Sequence, residues 1–213
     1  MAKRALFISD LHLAGGRPEA SEQFFRFLQE EAARADALYV LGDLFESWVG
    51  DDELTDAKGD PLAAEVAQGL RTLADSGVTV HVMHGNRDFL VGKAFLDASG
   101  AQRLEDPSVI KFAGKRLALL HGDTLCADDH DYQAWRRTVR SAAWQREFLA
   151  GPLAARREVA AGLRHMIHGH THRPARHEHE VDGARCERWV LPDWYGRGGY
   201  LALDDVGPRL VSF

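Results

Sequence analysis

Five short polar clusters, each placed after an apolar run, constrain the fold of this chain more than any other feature. The runs are short enough to be buried strands, and they cover residues 5–8, 38–41, 78–83, 117–120 and 165–167. The clusters that follow them are Asp10-Leu11-His12, Gly42-Asp43, Gly85-Asn86-Arg87-Asp88, His121-Gly122-Asp123 and Gly169-His170-Thr171-His172. Because α/β folds place their sites at the carboxyl ends of parallel strands, we expect the clusters to converge on one crevice.

Seven side chains in these clusters form a ligand set suited to two divalent metals: Asp10, His12, Asp43, Asn86, His121, His170 and His172. Carboxylate, amide and imidazole ligands favour Mn²⁺, Fe or Zn²⁺ over Cu(I) or an iron–sulfur cluster. Two ions about 3.5–4 Å apart promote in-line displacement at phosphorus. One carboxylate between them reduces their repulsion, and Asp43 is the natural bridge. Asp10 and His12 alternate around one residue, so both can point to the same side, and His170 and His172 share this spacing.

Each cluster taken alone has a simpler explanation. A single His on an apolar segment is more often a structural core residue, and Gly-Asp or His-Gly-Asp sequences are common in turns. The segment His168-Gly169-His170-Thr171-His172 alone fits a lone zinc site. The occurrence of five clusters in order, each after an apolar run, favours a shared metal site over these alternatives.

The motif pattern DxH, GD, GN, H and GHxH resembles that of the calcineurin-like metallophosphoesterase superfamily. Longer stretches are similar to the branch of this superfamily that cleaves UDP-2,3-diacylglucosamine in bacterial lipid A biosynthesis: FISDLHL, ALYVLGDLFESWVGDD, HGNRDFLVGKAF, LLHGDTLCADD and IHGHTHRPARHE. The similarity is close over residues 5–150 and 165–180 and looser in the C-terminal strands. It implies a metallophosphoesterase-type α/β fold, a four-layer α/β/β/α sandwich of two mixed sheets with a reduced helical cap.

The resemblance also implies a role for each site residue. One metal would be bound by Asp10, His12, Asp43 and His172, and the other by Asp43, Asn86, His121 and His170, with Mn²⁺ as the usual ion. The substrate diphosphate would contact the catalytic candidates Asn86, Arg87 and His170, with Asp129 near the nucleoside. Members of this branch use water to attack the UMP phosphorus, and they release UMP and 2,3-diacylglucosamine 1-phosphate.

Arg87 favours a diphosphate as the substrate. Many members of the superfamily carry Gly-Asn-His in this cluster, and that His can protonate an alkoxide leaving group. Arginine is a permanent cation that cannot act as a general acid, but it binds phosphate oxygens and stabilises charge in the transition state. A phosphate leaving group departs without a proton, so Arg87 suffices. The alternative is a salt bridge to Asp88, although we expect Asp88 and Asp123 to orient the Asn86 loop and His121.

The length predicts a single domain, residues 1–213, with residues 131–164 as the remnant of a helical cap. The resemblance implies a long helical insertion over the acyl chains, whereas this chain passes from Leu149 to His165 in far fewer residues. Either residues are missing from the sequence as given, or the chain is a shortened form that keeps the metal chemistry with weaker lipid selectivity. A diphosphatase or phosphodiesterase acting on soluble nucleotides is the second functional hypothesis, and a metal-free binding module is the third.

Charge and composition limit the partners. The net charge of −6 argues against nucleic acid. Residues 134–164 contain seven Arg and two Glu, interleaved with Trp135, Trp144 and Phe148. This pattern suits an anionic membrane surface or an acyl-chain groove, and a solvated face is the alternative. Two Cys give no disulfide framework, and no apolar stretch could span a bilayer. We therefore expect a cytoplasmic monomer, peripheral to the inner membrane, that binds a lipid-linked sugar nucleotide.

Helices are predicted between the strands of the N-terminal half. Pro18 opens the first, Asp60-Pro61 the second, which ends at Gly77, and a third lies near residues 92–99. We interpret the acidic stretch 51–60 as a solvated loop. Antiparallel strands follow residue 175, with a hairpin turn at Asp182-Gly183 and two final strands at 199–204 and 209–213. This order fits two packed sheets flanked by helices.

Overall fold

The computed structural model describes residues 4–46, 48, 51–55, 61–125, 165–181, 184–195, 198–204 and 206–213. The α-helices in these ranges are α1 (Pro18–Glu30), α2 (Leu62–Asp75) and α3 (Lys93–Ser99). The strands are β1 (Ala5–Ile8), β2 (Ala37–Leu41), β3 (Thr79–Met83), β4 (Gln102–Leu104), β5 (Ser108–Phe112), β6 (Lys115–Leu120), β7 (His165–His168), β8 (Ala175–Val181), β9 (Ala184–Val190), β10 (Gly199–Asp204) and β11 (Gly207–Ser212). The five strands predicted from apolar runs are confirmed as β1, β2, β3, β6 and β7.

The strands form two mixed sheets. The first has the order β11-β10-β1-β2-β3-β4, in which β1 to β4 are parallel and the β10–β11 hairpin is antiparallel to β1. The second has the order β5-β6-β7-β9-β8, in which β6, β7 and β9 are parallel. The polar clusters therefore follow three parallel strands of one sheet and two of the other.

Side chains that alternate along the first sheet pack into two different cores. On β1, Leu6 and Ile8 pack with residues of the three helices. Ala5 and Phe7 instead pack with residues of the second sheet, among them Ile167. The helices thus cover one face of the first sheet, and the second sheet covers the other. The prediction of two mixed sheets with helices is confirmed. The described residues account for three of the four predicted layers. The predicted cap remnant, residues 131–164, lies outside the described residues.

Most of the predicted helix boundaries and hairpins are confirmed. Helix α1 begins at Pro18, and Gly100 ends α3 with a left-handed φ of 69°, which favours glycine. Helix α2 begins at Leu62, immediately after Pro61, and the predicted N-cap Asp60 lies outside the described residues. Strands β8 and β9 pair antiparallel, as do β10 and β11. None of the described helices combines the length and apolar character needed to cross a bilayer.

Asp51, in the acidic stretch, is a helix cap rather than a solvated charge, and our interpretation was wrong at this residue. Its carboxylate accepts backbone hydrogen bonds from Gly92 at 2.8 Å and Ala94 at 2.7 Å, and a side-chain bond from Trp48 at 3.3 Å. The first N–H groups of a helix have no partner within the helix. Gly92 precedes α3 and has no side chain to satisfy them, so Asp51 supplies the cap from a distant loop.

Candidate metal centre

The predicted ligands lie in loops with an unusual backbone. Within the described ranges, six non-glycine residues have a positive φ, and five of them are predicted ligands: Asp10, His12, Asp43, His170 and His172. Such conformations cost about 1–3 kcal/mol each and are concentrated at functional sites. The chain adopts them where it turns after β1, β2 and β7, and these turns direct the ligand side chains toward a common crevice.

Hydrogen bonds connect the loops within each sheet and between the sheets. The N–H of Asp10 donates to the carbonyl of Gly42 at 3.1 Å, and the N–H of Gly169 donates to the carbonyl of His121 at 2.9 Å. The N–H of His170 crosses from the second sheet to Oδ2 of Asp10 at 2.9 Å. The crevice therefore lies where the carboxyl ends of the two sheets meet.

One half of the site contains Asp10, His12 and His172, whose ligand atoms all lie within 4.8 Å of one another. Nε2 of His172 is 3.1 Å from Oδ1 of Asp10 and 3.4 Å from Nε2 of His12. Oδ2 of Asp43 lies 3.8 Å from Nε2 of His12. Ligand atoms about 2.1 Å from one ion lie about 3–3.5 Å apart, so these side chains fit a single metal.

The other half of the site contains Asn86, His121 and His170. Oδ1 of Asn86 lies 2.9 Å from Nε2 of His121 and 3.1 Å from Nδ1 of His170. Nδ1 of His121 is 2.9 Å from the carbonyl of Leu41, so its N–H donates there and Nε2 faces the site. Oδ2 of Asp43 is 3.7 Å from that Nε2. Asp43 thus lies between the two halves, the position expected of a bridging carboxylate.

Two motif glycines are required because ligand side chains occupy the space that a Cβ would fill. A Cβ at Gly85 would lie 2.1 Å from Oδ1 of Asp43. A Cβ at Gly169 would lie 2.2 Å from both Oδ2 of Asp10 and Oγ of Ser9. These distances are far inside van der Waals contact. The glycines of the GN and GHxH motifs therefore allow the loops to close on the ligand carboxylates.

The ionisation of the site reflects burial and crowded charge. Burial raises the pKa of Asp43 to about 7, and the negative charges of Asp88 and Asp10 contribute in the same direction. Burial alone would lower the pKa of His121, but the carboxylates of Asp43 and Asp10 raise it to about 9. Burial and the charge of His121 lower the pKa of His170 to about 4, which keeps its imidazole neutral. A proton on Asp43 or His121 near neutral pH thus reflects burial of the carboxyl group and the carboxylates around the imidazole.

The donor set fits two divalent cations. Four acids at the site are at most 1% exposed: Asp10, Asp43, Asp88 and Asp123. Buried carboxylates are unfavourable unless they are paired or coordinate metals. Two dications would supply this charge, and Mn²⁺, Fe or Zn²⁺ would accept the mixture of oxygen and imidazole ligands.

Glu46 and Tyr195 also border the site, although we did not identify them from the sequence. Oε2 of Glu46 lies 3.3 Å from Nδ1 of His12, and the hydroxyl of Tyr195 donates to the same oxygen at 3.1 Å. Glu46 Oε1 is 3.4 Å from Nη1 of Arg87, so Arg87 pairs with Glu46. Among the described residues, the alternative salt bridge from Arg87 to Asp88 is not found. The only sequence signal was the position of Glu46 in the loop after β2.

The predicted substrate residue Asp129 lies outside the described residues.

Comparison with known proteins identifies the family. A family model described as calcineurin-like phosphoesterase matches residues 3–174. The chain belongs to this family. Among solved structures, an archaeal phosphodiesterase aligns with a TM-score of 0.54 over 99% of both chains at 14% identity. This likeness shows that the two chains share a fold.

Several curated relatives of this phosphoesterase match almost its whole length. The UDP-2,3-diacylglucosamine hydrolase of Aromatoleum aromaticum is 44% identical, with 97% of this chain and 96% of the relative covered. Proteins of the same name from Cellvibrio japonicus and Pseudomonas aeruginosa are 42% and 41% identical, each with 98% of both chains covered. The alignment with the Aromatoleum protein spans 239 positions, so at least 26 of them have no residue from the 213 of this chain.

Proposed function

We propose that this chain hydrolyses the diphosphate of UDP-2,3-diacylglucosamine and releases UMP and 2,3-diacylglucosamine 1-phosphate in lipid A biosynthesis. The observation that carries the proposal is the convergence of seven ligand-type side chains in a protein that is 44% identical to a hydrolase of this name. The water molecule would attack the UMP phosphorus, and the phosphorylated sugar would depart as a phosphate.

Asp10, His12, Asp43 and His172 would hold one divalent ion, and Asp43, Asn86, His121 and His170 would hold the other. We propose Mn²⁺ for both. Such an ion pair supplies Lewis acidity and lowers the pKa of water at the site. The protein contributes the spacing of the ligands, through the strained loops after β1, β2 and β7. We propose that Asn86 and His170 also contact the phosphate of the substrate, as the family resemblance implies.

Arg87 would stabilise the charge of the diphosphate. Its side chain is 51% exposed and lies at the edge of the site, where a guanidinium can reach phosphate oxygens. Its guanidinium pairs with Glu46, whose other carboxylate oxygen lies beside His12. Because it cannot donate a proton, the leaving group must be stable as an anion, which agrees with a diphosphate substrate.

A cytoplasmic location, peripheral to the inner membrane, is part of the proposal. The basic and aromatic segment of residues 134–164, together with Asp129, lies outside the described residues, and its sequence is the support for membrane binding. Sedimentation with anionic and with neutral vesicles tests this part, and we expect binding to the anionic vesicles only. We further propose that the protein is a monomer, which light scattering tests.

The second candidate is hydrolysis of soluble nucleotide diphosphates, and the length of the alignments favours it. At least 26 aligned positions have no residue in this chain, which would remove part of a lipid-binding cap if the gap falls between residues 149 and 165. Comparison of kcat/KM for UDP-2,3-diacylglucosamine and for a soluble UDP-sugar separates the two. A higher value for the lipid-linked substrate supports the first candidate.

Replacement of Asp43 by Ala tests the proposed chemistry. We expect UMP release to fall by more than about 100-fold, because loss of residues that merely orient metal ligands already costs 10–100-fold. Asp75→Ala is the matched control, since Asp75 lies on α2 with 67% of its side chain exposed. Unchanged turnover in Asp43→Ala would refute the proposed site, and turnover of neither substrate by the wild-type protein would refute the function.

A further inference from the structure

We propose that Glu46 is a positioning residue that orients His12 toward its metal and holds Arg87 at the phosphate site. The proposal rests on the function proposed above and assigns a role to a residue outside the ligand set. The two carboxylate oxygens of Glu46 contact different partners. Oε2 lies 3.3 Å from Nδ1 of His12, and Oε1 lies 3.4 Å from Nη1 of Arg87. Its side chain is 36% exposed, so it stands at the boundary between the buried ligands and solvent.

His12 requires an acceptor at Nδ1. Its side chain is 2% exposed, and Nε2 faces His172 and Asp43, the direction of the metal. In the part of the chain that the structure describes, Nδ1 is buried and makes no hydrogen bond, and the carboxylate of Glu46 is the group at ion-pair distance from it. A histidine ligand usually donates its second N–H to such a carboxylate, which fixes the ring and raises its basicity. With Oε2 of Glu46 already 3.3 Å from Nδ1, a small movement of the carboxylate would complete this bond.

Tyr195 fixes the carboxylate of Glu46. Its hydroxyl donates to Oε2 at 3.1 Å, and its ring lies against the ring of His12 with centroids 4.7 Å apart. The guanidinium of Arg17 lies 4.3 Å from the centroid of the Tyr195 ring and donates to the carbonyls of His12 and Trp194, at 3.0 and 2.7 Å. Aromatic contact, cation–π contact and hydrogen bonds thus hold Tyr195, Glu46 and His12 as one unit.

The two partners of Glu46 require different properties of it. His12 needs a hydrogen-bond acceptor, which an amide oxygen also provides. Arg87 needs a negative charge, since its guanidinium is half exposed and a neutral amide would hold it weakly. Glu46→Gln therefore separates the roles, because it keeps the acceptor for His12 and removes the charge that faces Arg87. Glu46→Ala removes both.

The experiment measures two quantities. Mn²⁺ affinity is determined by titration calorimetry on metal-free protein without substrate, and KM for UMP release is determined at saturating Mn²⁺. We expect Glu46→Ala to weaken Mn²⁺ binding by about 10-fold or more, in the range found for partners of metal-bound histidines. The Mn²⁺ affinity of Glu46→Gln should stay within about threefold of wild type. The KM should rise in both Glu46→Ala and Glu46→Gln, because both changes remove the charge that holds Arg87.

Tyr195→Phe and a surface control complete the design. Loss of the Tyr195 hydroxyl should weaken Mn²⁺ binding by about 2–10-fold, less than the full value of a hydrogen bond to a carboxylate, because it acts on His12 only through Glu46. This variant decides the question if Glu46→Ala fails to fold. Glu65→Gln, at an exposed position of α2, should change neither quantity. Unchanged Mn²⁺ affinity in Glu46→Ala and Tyr195→Phe, or equal loss in Glu46→Gln and Glu46→Ala, would overturn the proposal. Because the Mn²⁺ titration contains no substrate, it decides the role of Glu46 even if the substrate proves different.

Discussion

The carboxylate of Asp88 accepts a hydrogen bond from the backbone N–H of Leu44 at 2.8 Å, across 44 positions of the chain. The same carboxylate accepts bonds from the N–H groups of Gly85, at 2.8 Å, and Asp43, at 3.3 Å. Asp88 is 1% exposed, so these bonds are shielded from water. It joins the loop that carries Asp43 to the loop that carries Asn86, and it therefore sets the distance between two predicted ligands.

Asp88→Ala should lower both stability and metal affinity. The change leaves three backbone N–H groups near the site without their acceptor, which we expect to cost about 2–4 kcal/mol of unfolding free energy. Mn²⁺ affinity should fall by about 10–100-fold because the two loops lose their fixed spacing. Urea unfolding and calorimetric titration measure the two effects. Asp97→Ala, whose side chain is 63% exposed on α3, should change neither by much.

Gly169→Ala should remove metal binding at the Asp10 half of the site. The new methyl group would lie 2.2 Å from Oδ2 of Asp10 and from Oγ of Ser9, so either the loop or the ligand carboxylate must move. Gly16→Ala is the matched control, because a Cβ at Gly16 would have no atom within 4 Å. We expect one tightly bound Mn²⁺ or none in Gly169→Ala by metal analysis. Two tightly bound ions in that variant would show that this contact does not matter.

Metal affinity should rise with pH between about 6 and about 9. Asp43 has a pKa raised to about 7 by burial, and His121 has a pKa raised to about 9 by the carboxylates around it. Each must lose its proton before it can ligate, so protons compete with the metal below these values. Calorimetric titrations in buffers of different ionisation enthalpy should show proton release at pH 7. Affinity that does not change over this range would mean that neither group ligates the ion.

The strand ends could be predicted from the sequence because their signals are local. Each apolar run is adjacent to its polar cluster, and the spacing in Asp10-Leu11-His12 and His170-Thr171-His172 is visible directly. The helix ends at Pro18 and Gly100 follow from the fixed φ of proline and the left-handed conformation of glycine. These predictions depend on neighbouring residues only, and the structure bears them out.

The contacts that support the ligands could not be predicted because they join distant parts of the chain. Tyr195 and Glu46 are 149 positions apart. They meet because β10, which follows the Tyr195 loop, and β2, which precedes the Glu46 loop, both pair with β1. Asp51 caps α3 from 43 positions away, at Ala94. A single Tyr or Glu in a loop carries no spacing signal, so these partners emerge only once the strand order is known.

The most direct test of the central claim is the anomalous diffraction of crystals grown with Mn²⁺. The account predicts two manganese peaks about 3.5–4 Å apart, with the Asp43 carboxylate between them. Asp10, His12 and His172 should surround one peak, and Asn86, His121 and His170 the other. A single peak, peaks away from these side chains, or no peak in protein that still releases UMP would contradict the account.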